Sequence, residues 1–196
     1  DYIEIGSFIA LAAATGSGLT IAGANLPILR MILKVFARLG VAVETSGADL
    51  VVPARQARRI ATDLRGAIPK IESAIWPGVP ADLMSVLLVL ATQCEGTVLI
   101  HEKLFESRLF FVDRLVGMGA RIVLCDPHRA LVVGPAALHG DYLTSPDIRA
   151  GMAMLIAALC APGASIIDNI QMIDRGYERI DARLRALGAG IARVAG

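Results

Sequence analysis

Two kinds of hydrophobic pattern alternate along the chain. In the first, a continuously apolar segment predicts a buried helix, and a glycine and a β-branched strand follow it. In the second, apolar positions three and four residues apart predict an amphipathic helix that ends in Leu-Gly or Met-Gly before another strand. Each pattern occurs three times: the first begins at Ile5, Ala81 and Pro146, and the second begins at Ile28, Phe110 and Tyr177.

One example of each pattern together forms a copy with two helices, and a glycine follows each helix. The number of residues between these two glycines is similar in all three copies, which indicates an internal repeat. Two copies add one further strand, at residues 48–54 and 129–136, and the third copy stops without it. We therefore expect one α/β domain over residues 1–196, with three helix–strand–helix–strand units at 1–66, 67–141 and 142–196, the third lacking its last strand. The glycine pairs are Gly18 and Gly40, 22 residues apart, Gly96 and Gly119, 23 apart, and Gly163 and Gly188, 25 apart.

Composition narrows the class of protein. Hydrophobic residues make up 55% of the chain and aromatic residues 5%, which is typical of a packed aliphatic core. The net charge of +1 gives no electrostatic reason to expect a nucleic acid or a membrane as partner. The apolar runs are shorter than the roughly 18 to 20 residues of a membrane span, and no signal peptide is recognised. Cys94, Cys125 and Cys160 form no CxxC pair, so we expect buried thiols, a reducing cytoplasmic location, no metal and no cofactor.

One acidic residue stands at or near the start of each buried helix. Each buried helix is followed by a glycine, namely Gly18, Gly96 or Gly163. The acids lie 14, 14 and 16 residues before these glycines and are Glu4, Asp82 and Asp147. An acid in this position can simply cap the free N–H groups and complement the helix dipole. If the three helices point the same way, their N-termini also gather on one face, which then suits an anion. The sequence leaves both interpretations open.

Three arginines are expected near helix starts, where a positive charge is unfavourable for the helix itself. They are Arg108, Arg149 and Arg175. Gathered on one face, they would bind a phosphate or a carboxylate through paired N–H donors. The alternative is that each pairs only with a neighbouring acid, for example Arg175 with Asp174 or Asp147.

Several of these segments resemble the UDP-N-acetylglucosamine 1-carboxyvinyltransferases, the enolpyruvyl transferases that begin peptidoglycan precursor synthesis. The resemblance covers practically the whole chain, and its longest run favours this family over its shikimate-pathway relative. It implies an inside-out α/β domain with three units about a pseudo-threefold axis, the second of two such domains in the family. The segments are "EIGSFIALAAATG", "PGVPADL", "FESR", "SPDIRAGMAMLIAAL" and "IDRGYERIDARLRALGAGIARV".

The resemblance implies a role for each motif residue. The family joins the 3-hydroxyl of UDP-N-acetylglucosamine to phosphoenolpyruvate, through a tetrahedral adduct that then loses phosphate. Asp82 matches the general base of the family, and Leu104 matches a residue that contacts the sugar nucleotide. The remaining matches are Arg108, Arg149 and Arg175, which would face phosphoenolpyruvate, and Asp147, which would orient an arginine or a proton-bearing group.

The same resemblance implies parts that these residues do not supply. In the family, the first domain carries the reactive cysteine and most nucleotide contacts, and none of the three cysteines here matches that position. We therefore expect the chain alone to be inactive and to need that first domain as its partner. The N-terminal segment of the family is expected to supply the strand that the third unit lacks.

Three residues near the expected base depart from the family motif. Ala81 and Met84 replace a threonine and a glutamine, and Lys103 stands where a small polar residue is usual. Because the base and the arginines are kept while polar groups near the sugar are lost, a second hypothesis is a paralogue that acts on a different nucleotide. A third is a non-catalytic paralogue that binds a sugar nucleotide or a partner protein.

Overall fold

Three helices that are buried on nearly every side form the centre of the fold. In the computed structural model, which describes residues 1–194, each continuously apolar segment forms one of them, as predicted. The strands form three separate sheets. The elements are α1 (Tyr2–Thr15), β1 (Leu19–Ile21), α2 (Leu26–Arg38), β2 (Glu44–Ser46), β3 (Asp49–Val52), β4 (Lys70–Glu72), α3 (Met84–Ala91), β5 (Gly96–His101), α4 (Val112–Gly117), β6 (Arg121–Asp126), β7 (Arg129–Gly134), β8 (Tyr142–Thr144), α5 (Ile148–Cys160), β9 (Ile166–Asp168), α6 (Gln171–Asp174) and α7 (Ile180–Ala186).

The central helices pack against one another, since α1 contacts both α3 and α5, and α3 contacts α5. All 8 residues of α3 are buried. A helix with no polar face is stable only where other elements surround it, which explains the high mean hydropathy of +0.62. None of the helices within residues 1–194 has the length and apolar character that crossing a membrane requires.

The first two sheets share one arrangement of strands. In each, the last strand in the chain lies between two earlier strands and pairs antiparallel with both: β3 between β1 and β2, and β7 between β5 and β6. In the third predicted unit only β8 and β9 pair, in parallel. The strand expected over residues 189–194 does not form, because its partner would be the middle strand that this unit lacks.

The hydrophobic pattern does not predict β4 and β8. Each has 3 residues, too few for a period-two signal to be recognised. They pair in parallel with β5 and β9, and each lies just before a central helix. These strands therefore lead the chain out of a sheet and into the segments that carry Asp82 and Asp147.

The last helix begins later than its apolar pattern predicts. Tyr177 is buried in a turn, and α7 begins only at Ile180. Arg179 has a left-handed backbone, with φ 46° and ψ 43°, and this residue separates Tyr177 from the helix. Leu187 is 58% exposed and does not join the buried face. Gly188, at φ +96°, follows the helix end as predicted.

The sequence predicted that all three cysteines lie in the core, but the structure places only some of them there. Cys94 is fully buried and Cys160 is partly buried, and burial raises the pKa of both thiols to about 12, with Arg58 opposing the shift. Cys125 is exposed, because it lies on the outward face of the alternating strand β6. The prediction of a buried thiol is therefore wrong for Cys125.

We expect the substitution Gly40→Ala to destabilise the fold strongly. Gly40 has φ +76°, and a Cβ there would lie 2.3 Å from the carbonyl oxygen of Arg59 and 2.4 Å from its nitrogen. Strain and backbone displacement together would lower the free energy of unfolding by more than about 3 kcal/mol. The control is Gly47→Ala, at φ +62° with nothing within 4 Å, which carries the strain without the clash. Equal losses in urea unfolding for both variants would contradict this explanation.

Candidate functional site

Asp82 is held between two arginines at the start of a central helix. It lies in the 3-10 turn Ala81–Leu83, directly before α3. Its Oδ1 accepts a hydrogen bond from Nη1 of Arg108 and its Oδ2 accepts one from Nη2 of Arg149, each at 3.1 Å. The arginine side chains are largely buried, so water screens these ion pairs less than it screens pairs on the open surface. Three residues that the sequence predicted separately thus form one cluster.

Arg149 is also held from its other side. Its Nη1 donates to the hydroxyl of Tyr177 at 3.4 Å, and its guanidinium carbon lies 5.9 Å from the centre of that ring. Burial by itself would lower the pKa of Arg149, but the attraction of Tyr177 and Asp82 outweighs it, so the pKa is raised. Arg149 therefore carries its charge at neutral pH.

The cluster opens into a groove of about 500 Å³. The guanidinium of Arg108 stacks on the exposed ring of Phe105, with its carbon 4.5 Å from the ring centre, which fixes the plane of its N–H donors. An open groove beside fixed guanidinium groups is suited to a phosphate or a carboxylate. Five of the six predicted site residues line it, namely Asp82, Arg108, Asp147, Arg149 and Arg175.

Arg175 stands exposed on the wall of the groove. Its neighbour Asp174 instead binds Arg193, through two hydrogen bonds of 2.8 Å, and this lowers the pKa of the Asp174 carboxyl. Among residues 1–194, Arg175 forms no salt bridge with any acid, Asp174 and Asp147 included. The ion-pair explanation for this arginine is therefore wrong, and its charge faces the groove.

The backbone around Arg175 differs from the prediction. Arg175 follows the last residue of α6 and does not stand at the entrance of a helix. A Cβ on Gly176 would meet Cγ2 of Ile148, so the glycine gives room to a protein side chain. This close contact brings the turn that holds Arg175 against the first turn of α5.

Asp147 is the N-cap of α5. Its Oδ1 accepts the backbone N–H groups of Arg149 at 2.7 Å and of Ala150 at 2.9 Å. The capping interpretation is therefore confirmed for this acid. Because Asp147 binds the backbone of Arg149, it orients that arginine through the main chain.

Leu104 is the predicted site residue that does not line the groove. It is 43% exposed and stands just before Phe105, in the segment that leads to Arg108. Its backbone N–H donates to Oε1 of the buried Glu102 at 2.9 Å. The structure therefore leaves its side chain exposed beside the groove.

The sequence analysis did not identify Tyr177 and Phe105 as site residues. Tyr177 occupies an apolar position of a helical pattern, and its ring alone accounts for a hydrophobic residue there. The sequence pattern therefore does not indicate a role for its hydroxyl group. Phe105 is one of five phenylalanines in a hydrophobic chain. The spacing of residues cannot report a contact with an arginine that is distant in the sequence.

Two of the three departures from the family motif lie inside the protein. Met84 is 1% exposed and belongs to the core, and Ala81 is also buried. Lys103 is exposed, and its Nζ lies 3.8 Å from the carboxylate of Glu72. In this structure the side chain of Met84 does not line the groove around Asp82, although the sequence analysis expected it near the sugar.

A second groove of about 290 Å³ lies between β9 and residues 190–193. Its walls are largely aliphatic and include Leu155, Leu159, Ile167 and Ile191. Because it has no cluster of guanidinium groups, we assign the candidate site to the groove around Asp82.

Comparison with known proteins adds three findings. Residues 1–184 match the family described as EPSP synthase (3-phosphoshikimate 1-carboxyvinyltransferase). The chain is 58% identical over 194 residues to the UDP-N-acetylglucosamine 1-carboxyvinyltransferase of Bradyrhizobium diazoefficiens, and 56% identical over 191 residues to that of Treponema denticola. These alignments cover 99% and 97% of this chain but 45% of each relative, so the chain spans less than half of their length.

Solved structures give the same picture of the fold. The enolpyruvyl transferase NikO from Streptomyces tendae superposes with a TM-score of 0.83 at 28% identity, over 98% of this chain and 44% of that one. An EPSP synthase from Acinetobacter baumannii superposes with a TM-score of 0.63 at 15% identity, over 96% and 43% of the two chains, and so supports the fold alone. The expected mixed α/β fold is confirmed.

Proposed function

The chain belongs to the EPSP synthase family of carboxyvinyltransferases, and on that premise we propose that it is one domain of an enolpyruvyl transferase. The reaction moves enolpyruvate from phosphoenolpyruvate to the 3-hydroxyl of UDP-N-acetylglucosamine, in peptidoglycan precursor synthesis. The observation that carries the proposal is the groove in which Arg108 and Arg149 bind both oxygens of Asp82, with Arg175 beside them. The identities above 50% to proteins named for this reaction support it.

Asp82 is the general base in this proposal. It takes the proton of the sugar hydroxyl, whose oxygen bonds to the central carbon of phosphoenolpyruvate while the methylene carbon takes up a proton from a general acid. The tetrahedral adduct then loses a proton from its new methyl group, the bond to the phosphate oxygen breaks, and the double bond re-forms as phosphate leaves. Both carboxylate oxygens are engaged by arginines in this structure. A phosphate or carboxylate that binds Arg108 and Arg149 competes for the same N–H donors, which frees an oxygen of Asp82 for the hydroxyl.

The other residues bind and orient the two substrates. Arg108, Arg149 and Arg175 hold the anionic groups of phosphoenolpyruvate and stabilise the negative charge that develops as phosphate leaves. Asp147 fixes the backbone of Arg149, and Leu104 contacts the sugar nucleotide from the edge of the groove.

The chain is proposed to need a partner domain and to be inactive alone. It spans 45% of the length of its relatives, and its thiols at 94 and 160 have pKa values raised by burial to about 12, which does not suit a reactive cysteine. We also propose the pseudo-threefold arrangement of units at 1–66, 67–141 and 142–196. In that arrangement, the N-terminal segment of the complete enzyme fills the aliphatic groove between β9 and residues 190–193 as its middle strand.

A second candidate keeps the reaction and changes the acceptor. It depends on the position of Ala81, because that residue directly precedes Asp82, whereas Met84 is in the core. A third candidate is a non-catalytic protein that binds a sugar nucleotide or a partner protein. The named relatives favour the first candidate over both.

Phosphate release separates the three candidates. The full-length gene product, meaning the complete polypeptide that carries these residues, is given phosphoenolpyruvate with UDP-N-acetylglucosamine or with another nucleotide sugar. We expect release with the first acceptor. Release only with another nucleotide would favour the second candidate, and nucleotide binding without any release would favour the third.

We expect Arg175→Ala to raise the KM for phosphoenolpyruvate by about 10- to 100-fold, since a charge-assisted contact to the anion is lost. The KM for the nucleotide should stay unchanged in steady-state assays of the full-length gene product. Arg30→Ala, on the exposed face of α2, is the matched control for the loss of one positive charge. An equal KM for phosphoenolpyruvate in both variants would rule out a binding role for Arg175.

A further inference from the structure

A chain of buried hydroxyl groups leads from α1 to Arg149. The hydroxyl of Ser7 donates to the carbonyl oxygen of Ile3 at 2.9 Å, and the hydroxyl of Tyr177 lies 2.7 Å from Oγ of Ser7. Nη1 of Arg149 follows at 3.4 Å from the Tyr177 oxygen. Ser7 is 0% and Tyr177 is 1% exposed, so bulk solvent offers these hydroxyls no alternative partner.

The direction of each hydrogen bond follows from the number of protons. Ser7 has one hydroxyl proton, and the carbonyl of Ile3 can only accept it. Tyr177 must therefore donate its own proton to Oγ of Ser7. This leaves the oxygen of Tyr177 as an acceptor, and the guanidinium of Arg149 is the donor that faces it.

We propose that Tyr177 is a positioning residue, which holds Arg149 in the orientation that binds the anionic substrate, and that Ser7 in turn holds Tyr177. The proposal rests on the proposed function. The second anchor matters because Asp82 loses its charge when it takes the proton of a substrate hydroxyl, and its hold on Arg149 then weakens. When that ion pair opens, Tyr177 still fixes the guanidinium, so less side-chain entropy is lost on binding.

The surrounding packing makes such an anchor rigid. A Cβ on Gly6, the residue before Ser7, would lie 2.7 Å from the side chain of Leu83, so α1 is pressed against the turn that carries Asp82. The three predicted units thus meet here: the first supplies Ser7, the second Asp82, and the third Arg149 with Tyr177. The hydroxyl chain connects the first unit to the arginine.

The test compares Tyr177→Phe, Ser7→Ala and the double variant in the full-length gene product. Loss of one buried hydrogen bond to a charged group should raise the KM for phosphoenolpyruvate by about tenfold in Tyr177→Phe. The kcat and the KM for the nucleotide should change much less, and Ser7→Ala should show a smaller rise in the same KM. The double variant should match Tyr177→Phe alone, because Ser7 acts only through the tyrosine hydroxyl.

A purely structural role predicts another result: lower melting temperatures with an unchanged KM for phosphoenolpyruvate, which would overturn the proposal. The proposal would also be overturned if the two substitutions raised the KM for phosphoenolpyruvate independently, so that their fold-changes multiply in the double variant. If Tyr177→Phe does not fold, Ser7→Ala decides: a raised KM for phosphoenolpyruvate supports the proposal, and an unchanged one overturns it.

Calorimetric titration with inorganic phosphate separates this proposal from the proposed function. If the wild type binds phosphate but releases none from phosphoenolpyruvate, the proposed function fails. The positioning role is then judged by phosphate affinity, where weaker binding by Tyr177→Phe supports it and equal binding overturns it. A wild type that neither releases phosphate from phosphoenolpyruvate nor binds inorganic phosphate would overturn both.

Discussion

We expect Asp82→Asn to reduce phosphate release by the full-length gene product by about three orders of magnitude, within the range for loss of a general base. An amide keeps the shape of the carboxylate but cannot take up the proton of a sugar hydroxyl. It also weakens the hold on Arg108 and Arg149, since the amide oxygen keeps a hydrogen bond with only one of them and the NH2 group cannot accept from the other. The loss should appear in kcat, because the proton moves in the transition state.

The control for Asp82→Asn is Glu95→Gln. Glu95 also forms an ion pair with an arginine, Arg59, but both side chains are mostly exposed and distant from the groove. We expect its kcat to remain at the wild-type value, because exposed pairs contribute little. If Asp82→Asn loses no more than tenfold in kcat, the carboxylate is not the base, and its role is confined to orienting the two arginines.

The second large effect concerns the opposite ends of the central helices. Arg58 donates from Nη1 to the carbonyl oxygen of Ala13, in the last turn of α1, and from Nε to that of Gln93, just after α3. It also opposes the raised pKa of Cys160, the last residue of α5. One guanidinium thus lies at the negative ends of three helix dipoles.

We expect Arg58→Met to lower the free energy of unfolding by about 3 kcal/mol, because two charge-assisted hydrogen bonds and a favourable dipole interaction are lost. Urea unfolding measures this loss, and the adjacent Arg59→Met is the matched control. Arg59 has its side chain 76% exposed in a surface pair with Glu95, so its loss should stay below about 1 kcal/mol. Equal destabilisation by the two substitutions would contradict a special role for Arg58.

The repeat pattern suggested the convergence of charges as one of two interpretations, and the sequence left both open. Each unit begins a buried helix with an acid, and packing three such helices together brings their starts to one place. The contact between Asp82 and Arg149 joins the starts of two of these helices, although 67 residues separate them. The functional identity of the cluster came from the family resemblance and not from the pattern.

Features that depend on one distant partner were not predicted. Tyr177 was counted only as an apolar position, because a hydroxyl bond to Ser7 across 170 residues leaves no local pattern. Arg58 has no periodic neighbours and shows its role only when the helix ends are assembled. The strand expected at 189–194 fails for a related reason, since a strand requires a partner that its own sequence does not encode.

The most direct test of the central claim is the identity of the product. The full-length gene product is incubated with phosphoenolpyruvate and UDP-N-acetylglucosamine, and the nucleotide is analysed by mass spectrometry and by proton NMR. Enolpyruvyl transfer predicts a nucleotide that carries an enol ether on the sugar 3-hydroxyl, formed in equal amount to the released phosphate. Recovery of unmodified UDP-N-acetylglucosamine, with or without free phosphate, would contradict the proposal that the Asp82 groove transfers enolpyruvate to this acceptor.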